Sequence, residues 1–196
     1  ILCKLKQNNK EVSYIRCDNA GENQKLEKKC SSSDNDLSIE FEFTARATPR
    51  QNSLAEKGFD TSYNRGRAIM DAANIPNALK YSLFREVFSH ATDLDNLTLI
   101  PWKGTMLTKY EASGWTLPRW TKHMRTWGEA GVVKVKTQST PKLGNRGAVC
   151  IFVGYSKLHA GDCYRMYDPE TKRVHTTRDV RWLGRWYFAE DGTKQV

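Results

Sequence analysis

The sequence predicts an α/β region over about the first hundred residues and a small all-β barrel from about residue 131 onward. The α/β prediction rests on two short alternating strands that are followed by two helices. The barrel prediction rests on five short strands within about fifty residues, a spacing typical of small antiparallel barrels. The segment between the two regions is rich in Trp, Gly, Pro and Lys without a clear period, so we expect an extended linker there.

The strands of the α/β region are predicted at residues 12–17 and 39–44, because both runs alternate between apolar and polar side chains. Apolar residues then recur at helical spacing over residues 53–73, with Asn52 as a candidate N-cap, and over residues 77–97. Strand, strand, helix, helix is an α/β order.

Alternation and β-branched residues also define the barrel, and residues 168–171 (Asp-Pro-Glu-Thr) supply a hairpin turn between two of its strands. The predicted barrel strands are 132–135, 149–155, 164–167, 174–177 and 180–183. The predicted domain limits are residues 1–100 for the α/β region, 101–130 for the linker, 131–185 for the barrel and 186–196 for a tail.

Composition narrows the class of protein. The 196 residues contain 31 basic and 22 acidic side chains, a net charge of +9. That excess favours a polyanionic partner such as nucleic acid, although a solvated basic surface gives the same count. The five scattered cysteines form no Cys-x-x-Cys pair, which argues against a disulfide framework or zinc knuckle and indicates a reducing compartment. No apolar run is long enough to predict a membrane-spanning segment.

Two carboxylates lie at a strand end and a helix start, the positions where α/β proteins commonly have their active or binding sites. Asp18 comes directly after the first predicted strand, and Glu56 lies in the first turn of the first long helix. Two carboxylates that converge in one crevice provide the hard oxygen ligands that Mg²⁺ prefers. Taken singly, Asp18 is explained as a turn residue and Glu56 as a helix-dipole partner.

The surrounding residues resemble the second half of the retroviral-type integrase core. Its pattern Asp-Asn-Gly-Gly-Glu becomes Asp-Asn-Ala-Gly-Glu at residues 18–22. Its pattern Thr-Pro-Gln-Gln-Asn-Gly-x-x-Glu becomes Thr-Pro-Arg-Gln-Asn-Ser-x-x-Glu at residues 48–56. The two acidic residues are 56 − 18 = 38 positions apart, slightly more than in the family, and the loop near residues 31–36 accommodates the excess.

Later motifs resemble the copia-type retrotransposon Pol polyproteins in particular. They are Trp-Gly at 127–128, Phe-Val-Gly-Tyr-Ser at 152–156, Tyr-Arg-Met-Tyr-Asp-Pro at 164–169, Lys-Arg-Val at 172–174 and Thr-Arg-Asp-Val at 177–180. The resemblance implies part of an RNase H-like integrase core followed by a barrel similar to Src-homology-3 (SH3) domains. It covers nearly the whole chain.

The resemblance also implies a function: DNA integration by metal-dependent strand transfer in a parent polyprotein, an Asp-Asp-Glu polynucleotidyl transferase. Asp18 and Glu56 would be catalytic ligands of Mg²⁺ or Mn²⁺. The implied partners are the element ends and target DNA, with homo-oligomerisation and no membrane. The implied location is intracellular, and nuclear during integration. The residues that we expect near DNA, by resemblance or by charge, are Arg50, Gln51, Asn52, Lys57, Arg65, Arg67, Arg178 and Arg181.

Departures from the family pattern keep alternatives open. Residues 1–17 contain no Asp, so the first of the three carboxylates is expected upstream and the chain is expected to be inactive alone. Ser53 replaces a Gly, and Gly58 replaces a helix former. A non-enzymatic nucleic-acid-binding remnant of a decayed or repurposed element is the alternative. A protein-interaction module built on the barrel alone would leave the Asp18 and Glu56 motifs unexplained.

Overall fold

Two strands and a helix form the start of the fold. In the computed structural model, which describes residues 5, 11–32, 38–44, 53–134 and 147–195, β1 (Tyr14–Cys17) pairs in parallel with β2 (Glu40–Phe43). Helix α1 (Gly21–Cys30) lies between them in sequence, as a parallel pair requires a crossover. Alternation leaves one face of the pair half-buried and the other exposed. Both predicted strands are confirmed, each slightly shorter than expected.

The chain divides into two compact units, Ile1–Thr61 and Ser62–Val196. The two predicted long helices are α2 (Ser53–Ala72), which begins in the first unit and ends in the second, and α3 (Asn77–Asp95). Pro76 precedes α3, where its fixed φ suits a helix start. The domain limits predicted at residues 100 and 130 stay predictions.

The segment predicted as an extended linker contains regular structure. An antiparallel hairpin is formed by β3 (Leu99–Trp102) and β4 (Thr105–Thr108), followed by the one-turn helix α4 (Lys109–Ala112) and a 3₁₀ helix, Arg119–His123. The two-residue turn of the hairpin is Lys-Gly, which lacks the Asn-Gly or Asp-Gly signal of such turns. Each strand has only four residues, which is too short for an alternating pattern to predict it.

The rest of the second unit is a five-stranded antiparallel sheet, in the order β8-β7-β6-β5-β9. All five predicted barrel strands are confirmed. They are β5 (Glu129–Lys134), β6 (Gly147–Tyr155), β7 (Tyr164–Asp168), β8 (Arg173–Thr177) and β9 (Val180–Trp186). The predicted turn at residues 168–171 joins β7 to β8, and the Asp168 carboxylate accepts hydrogen bonds from the backbone of Glu170 (2.9 Å) and the hydroxyl of Thr171 (2.8 Å).

Apolar side chains from this sheet enter two buried clusters. One cluster joins the end of α2 and the buried stripe of α3, including Leu83 and Val87, to Ile151 and Tyr167 of the sheet. The other gathers Phe152, Tyr164 and Met166 with Trp120 of the 3₁₀ helix. Helix α3 is thereby packed directly on the five-stranded sheet. Among the described residues, no helix combines the length and apolar character that a membrane crossing requires.

Candidate functional site

Asp18 stands at the end of β1, one residue after the last paired position, and its side chain is exposed. Its Oδ1 accepts a hydrogen bond from Asn23 Nδ2 at 2.5 Å and lies 3.4 Å from the backbone nitrogen of Ala20. Asn23 Nδ2 also donates to the Asp18 carbonyl at 3.1 Å. The first turn of α1 therefore fixes the orientation of the Asp18 carboxylate.

Glu56 lies in the first turn of α2, and its side chain is also exposed. Helix N-termini favour acidic side chains because unpaired backbone N–H groups point toward them. Three of the predicted DNA-contact residues, Arg50, Gln51 and Asn52, precede this turn in sequence and lie outside the described residues. Asp18 and Glu56 thus occupy the predicted strand end and helix start, both within Ile1–Thr61.

The chemical type of the side chains at these two positions suits a divalent cation. Both groups are exposed carboxylates, the hard oxygen ligands that Mg²⁺ and Mn²⁺ take in proteins. The number of ligands is too small, because no three Asp, Glu, His or Cys side chains come together within the described ranges. A two-metal site requires more ligands than these two residues supply.

The predicted cations on α2 have different surroundings. Lys57 and Arg67 are exposed. Arg65 forms an ion pair with Asp95, whose other oxygen lies 2.5 Å from Lys109 Nζ. Burial tends to raise the pKa of Asp95, but hydrogen bonds from Lys109 and Arg65 outweigh it and hold that pKa below its usual value. Arg65 is therefore engaged in an ion pair, whereas Lys57 and Arg67 are exposed and form no ion pair within the described residues.

The predicted barrel cations differ in the same way. Arg178 and Arg181 are exposed at the β8–β9 turn and on β9, and Arg178 Nε lies 3.8 Å from the exposed carboxylate of Asp179. Arg181 lines a shallow groove together with Lys134, and its strand position is opposite Val132 of β5. Asp179 also lines this groove, so its two cations exceed its acidic residues by one, and the excess positive charge suits a phosphate backbone.

The Trp127-Gly128 motif has a clear packing role. Trp127 is buried, and its indole N–H donates to the Val153 carbonyl at 3.1 Å. Gly128 has φ +94°, and a Cβ atom there would lie 2.4 Å from Ala73 Cβ. Only glycine allows this close approach between the end of α2 and the sheet. The motif therefore positions the helices on the sheet.

Sequence reasoning missed the carboxylates that hold two of the cations. Arg165 of β7 forms a two-pronged pair with Glu86 of α3, with Nη2–Oε1 at 2.6 Å and Nε–Oε2 at 3.0 Å. Lys157 Nζ lies 2.9 Å from the buried carboxylate of Asp93 on the same helix. The partners are far apart in sequence, so only the pattern of acidic residues on the sheet-facing side of α3 could have indicated them.

Comparison with known proteins identifies the class of the all-β region. Residues 130–193 match the model of the retroviral polymerase SH3-like domain, which covers the five-stranded sheet from Ala130 onward. The all-β region is therefore SH3-like, as predicted.

The wider chain is similar to the Retrovirus-related Pol polyprotein from transposon TNT 1-94 of Nicotiana tabacum. The two are 27% identical over 179 residues, which is 89% of this chain and 12% of that polyprotein. The chain thus spans only a small part of the length of its relative. Together the findings confirm the resemblance read from the motifs: the chain corresponds to part of a copia-type retrotransposon Pol polyprotein and contains an SH3-like region.

Proposed function

We propose that the chain is the integrase region of its polyprotein: the C-terminal part of an RNase H-like catalytic core followed by the SH3-like domain. The observation that carries this proposal is the placement of Asp18 and Glu56. Asp18 follows a strand of a parallel pair, and Glu56 opens the long helix, in the order of the integrase motifs. In the parent, this region would join DNA ends to target DNA by phosphodiester strand transfer.

Asp18 and Glu56 are proposed as ligands of Mg²⁺ or Mn²⁺, together with a carboxylate that the 196 residues do not supply. When bound, the metal would provide Lewis-acid activation of the attacking and leaving oxygens. Within this chain, Asn23 holds the Asp18 carboxylate in a fixed orientation. Glu56 lies in the first turn of α2, where unpaired backbone N–H groups point toward negatively charged side chains.

DNA is the proposed partner of both units. Lys57 and Arg67 are exposed on α2, and Arg50, Gln51 and Asn52 precede it in sequence. Arg178 and Arg181 would bind phosphates at the SH3-like sheet without reading sequence. A homo-oligomer acting in the nucleus is part of the same proposal.

The first test is strand transfer. We expect the isolated 196-residue chain to leave oligonucleotide ends unjoined with Mg²⁺ or Mn²⁺, because two carboxylates do not hold two metals. We expect a chain extended upstream to include the first Asp to be active, and Glu56→Gln to abolish that activity, because Gln keeps the shape and removes the charge.

Asp60→Asn is the matched control, since Asp60 is also exposed and lies one turn further along α2. It should retain activity, and both variants should keep the parental circular-dichroism spectrum. Joining by the isolated chain that depends on Glu56, or parental rates in the Gln variant, would contradict the assignment.

The second test concerns the SH3-like surface. Replacing both Arg178 and Arg181 by Ala should lower the slope of log Kobs against log salt by about 2 for duplex DNA, since each phosphate contact contributes about 0.9. Replacing Lys25 and Lys28, two exposed cations of α1, by Ala removes the same charge and should leave the slope unchanged. Equal slopes in both double variants would mean that the effect is one of net charge.

A second candidate function is nucleic-acid binding without catalysis, by a decayed or repurposed element. It is favoured by Ser53 and Gly58, where the integrase pattern has a Gly and a helix former. An upstream-extended chain that contains the first Asp, binds DNA and still fails to join ends would support this candidate over the first.

A further inference from the structure

The β3–β4 hairpin is a short ribbon with a fixed turn. Lys103 and Gly104 join the strands with φ values of +47° and +83°. Positive φ at both central residues matches the twist of the strands in two-residue hairpins. Thr105 Oγ1 donates to the Trp102 carbonyl at 3.0 Å, which ties the two sides of the turn together. The tip is therefore a defined structure.

The base of the ribbon is equally well held. The Lys109 backbone N–H donates to the Thr98 carbonyl at 3.3 Å. Thr108 and Glu111 form a reciprocal capping box at the start of α4, and Lys109 Nζ contacts Asp95. These bonds fix where the two strands enter and leave, so the exposure of the ribbon is a property of the folded state.

Lysine is an unfavourable residue at the tip. A side chain with a Cβ is disfavoured at positive φ, and Asn or Gly is the usual choice there. Lys103 makes no ion pair within the described residues, so its ammonium adds nothing to the fold that Asn would not. The feature that Lys103 supplies is a positive charge at the end of the ribbon.

Large apolar side chains beside this charge are left in solvent. Leu99 is 60% exposed, Trp102 44% and Met106 58%. The strand register places Pro101 opposite Met106 and Trp102 opposite Thr105, so apolar groups occupy both faces of the tip. No Asp or Glu occurs between residues 96 and 110. The ribbon thus combines an exposed indole, a flexible thioether and an uncompensated cation.

We propose that this ribbon is a nucleic-acid contact, in which Trp102 stacks on an unpaired base and Lys103 binds an adjacent phosphate. The inference rests on the proposed function for its choice of nucleic acid as partner. Aromatic rings bind bases through their faces without reading sequence, and a neighbouring cation neutralises the backbone. A second copy of the chain is a poorer occupant, because pairing two identical tips would bring two Lys103 charges together without an acidic partner.

The test uses the full 196-residue chain and fluorescence anisotropy with a labelled single-stranded oligonucleotide and the matching blunt duplex. Trp102→Ala should weaken binding of the single strand by about five- to tenfold, the effect of losing one stacked base, and Trp102→Phe should stay within about twofold. The duplex should respond less, because its bases are already stacked.

Lys103→Asn separates binding from folding. Asn suits positive φ, so this variant should unfold at the parental temperature or above, yet its salt slope for single strands should fall by about 0.7. Lys172→Asn is the matched control, because Lys172 is also an exposed lysine at positive φ (+56°), in the β7–β8 turn. It removes the same charge at a different hairpin and should change the slope less.

Failure of this inference differs from failure of the proposed function. Parental binding in Trp102→Ala and Lys103→Asn, by a chain that binds oligonucleotides, would overturn the ribbon assignment alone. Equal slopes for Lys103→Asn and Lys172→Asn, with Trp102→Ala unchanged, would reduce the effect to net charge. A change of oligomeric state in Trp102→Ala by light scattering, without a change in DNA binding, would identify a second copy as the occupant. A parent that binds neither oligonucleotide would overturn the proposed function and this inference with it.

Discussion

The described residues of the two units differ in how far their side chains are buried. Among the described residues of Ile1–Thr61, only Cys30 is buried, at 4% exposure, and both candidate ligands, Asp18 and Glu56, are exposed. Ser62–Val196 contains two buried clusters that together join three helices to a five-stranded sheet. The proposed metal ligands therefore lie where the described residues are little buried, and most of the burial in the described part of the chain lies in Ser62–Val196.

Each unit contains an Arg–Glu ion pair, and the two pairs differ in burial in the same way. Arg16 and Glu42 face each other across β1 and β2 at 2.8 Å, with side chains 51% and 45% exposed. Arg165 and Glu86 join β7 to α3 at 2.6 Å, with side chains 34% and 13% exposed. Solvent screens the first pair far more than the second. The same substitution in the two pairs should therefore change the free energy of unfolding by different amounts.

The largest difference is expected for an aromatic side chain. Phe152 is fully buried among the rings of His90, Tyr155 and Trp182, whereas Phe41 of β2 is half-buried. Phe152→Ala should lower the free energy of unfolding of its unit by about 3–5 kcal/mol, and Phe41→Ala by about 1 kcal/mol. Urea titrations followed by circular dichroism and tryptophan fluorescence would measure both. Similar losses in the two variants would remove the contrast.

Most secondary-structure elements of both units could be predicted from the sequence, because local patterns determine them. Alternation located both strands of the first unit and all five strands of the sheet, and apolar spacing located α2 and α3. Asp18 and Glu56 were placed at a strand end and a helix start by their motifs. These features depend on neighbours within a few residues, which periodicity and turn chemistry report directly.

Long-range contacts were beyond sequence reasoning. Arg65 was expected as a cation for phosphates, but its carboxylate partner, Asp95, lies 30 positions away. The partner of Arg165, Glu86, lies 79 positions away. An apolar stripe on α3 indicates that the helix is buried without indicating which surface covers it. The Lys103-Gly104 turn was missed because Lys at positive φ is rare, so propensity argued against a hairpin there.

A smaller effect is expected from pH, and it should be confined to the second unit. His90 of α3 is 4% exposed, contacts the rings of Phe152 and Tyr155, and has no hydrogen-bond partner for Nδ1 within the described residues. Burial lowers the pKa of His90 from 6.5 to about 4. The folded state therefore holds His90 neutral while the unfolded chain takes up a proton. Its stabilising contribution is present above pH 6.5 and is lost as the pH falls toward 4.

Between pH 7 and pH 5 this linkage should cost about 2 kcal/mol of unfolding free energy. Acidification also acts on Asp93, one turn along the same helix, in the opposite direction. Burial raises its pKa against the hydrogen bond and charge of Lys157. His90→Phe keeps a ring in the site and removes the titration, so the pH dependence of the difference between parent and variant isolates His90. A constant difference from pH 7 to pH 5 would contradict this account.

The smallest difference is expected for the two Arg–Glu pairs. Glu86→Gln should cost about 1–2 kcal/mol, because it leaves the partly buried Arg165 cation without its counter-charge, although the amide oxygen still accepts one hydrogen bond. Glu42→Gln should cost less than about 0.5 kcal/mol, the usual size for exposed pairs. Denaturant titrations at 0.05 M and 1 M salt would compare them.

Salt and a second substitution distinguish the charge effect from a packing effect. High salt should remove most of the Glu42→Gln penalty and leave most of the Glu86→Gln penalty, since ions screen exposed charges more than buried ones. Combining Glu86→Gln with Arg165→Met removes the unpaired cation and places an apolar side chain between the sheet and α3. That double variant should therefore recover part of the loss. If it is less stable than the sum of the single variants predicts, Arg165 stabilises the contact between α3 and β7 through its packing, and the comparison of the two pairs as ion pairs fails.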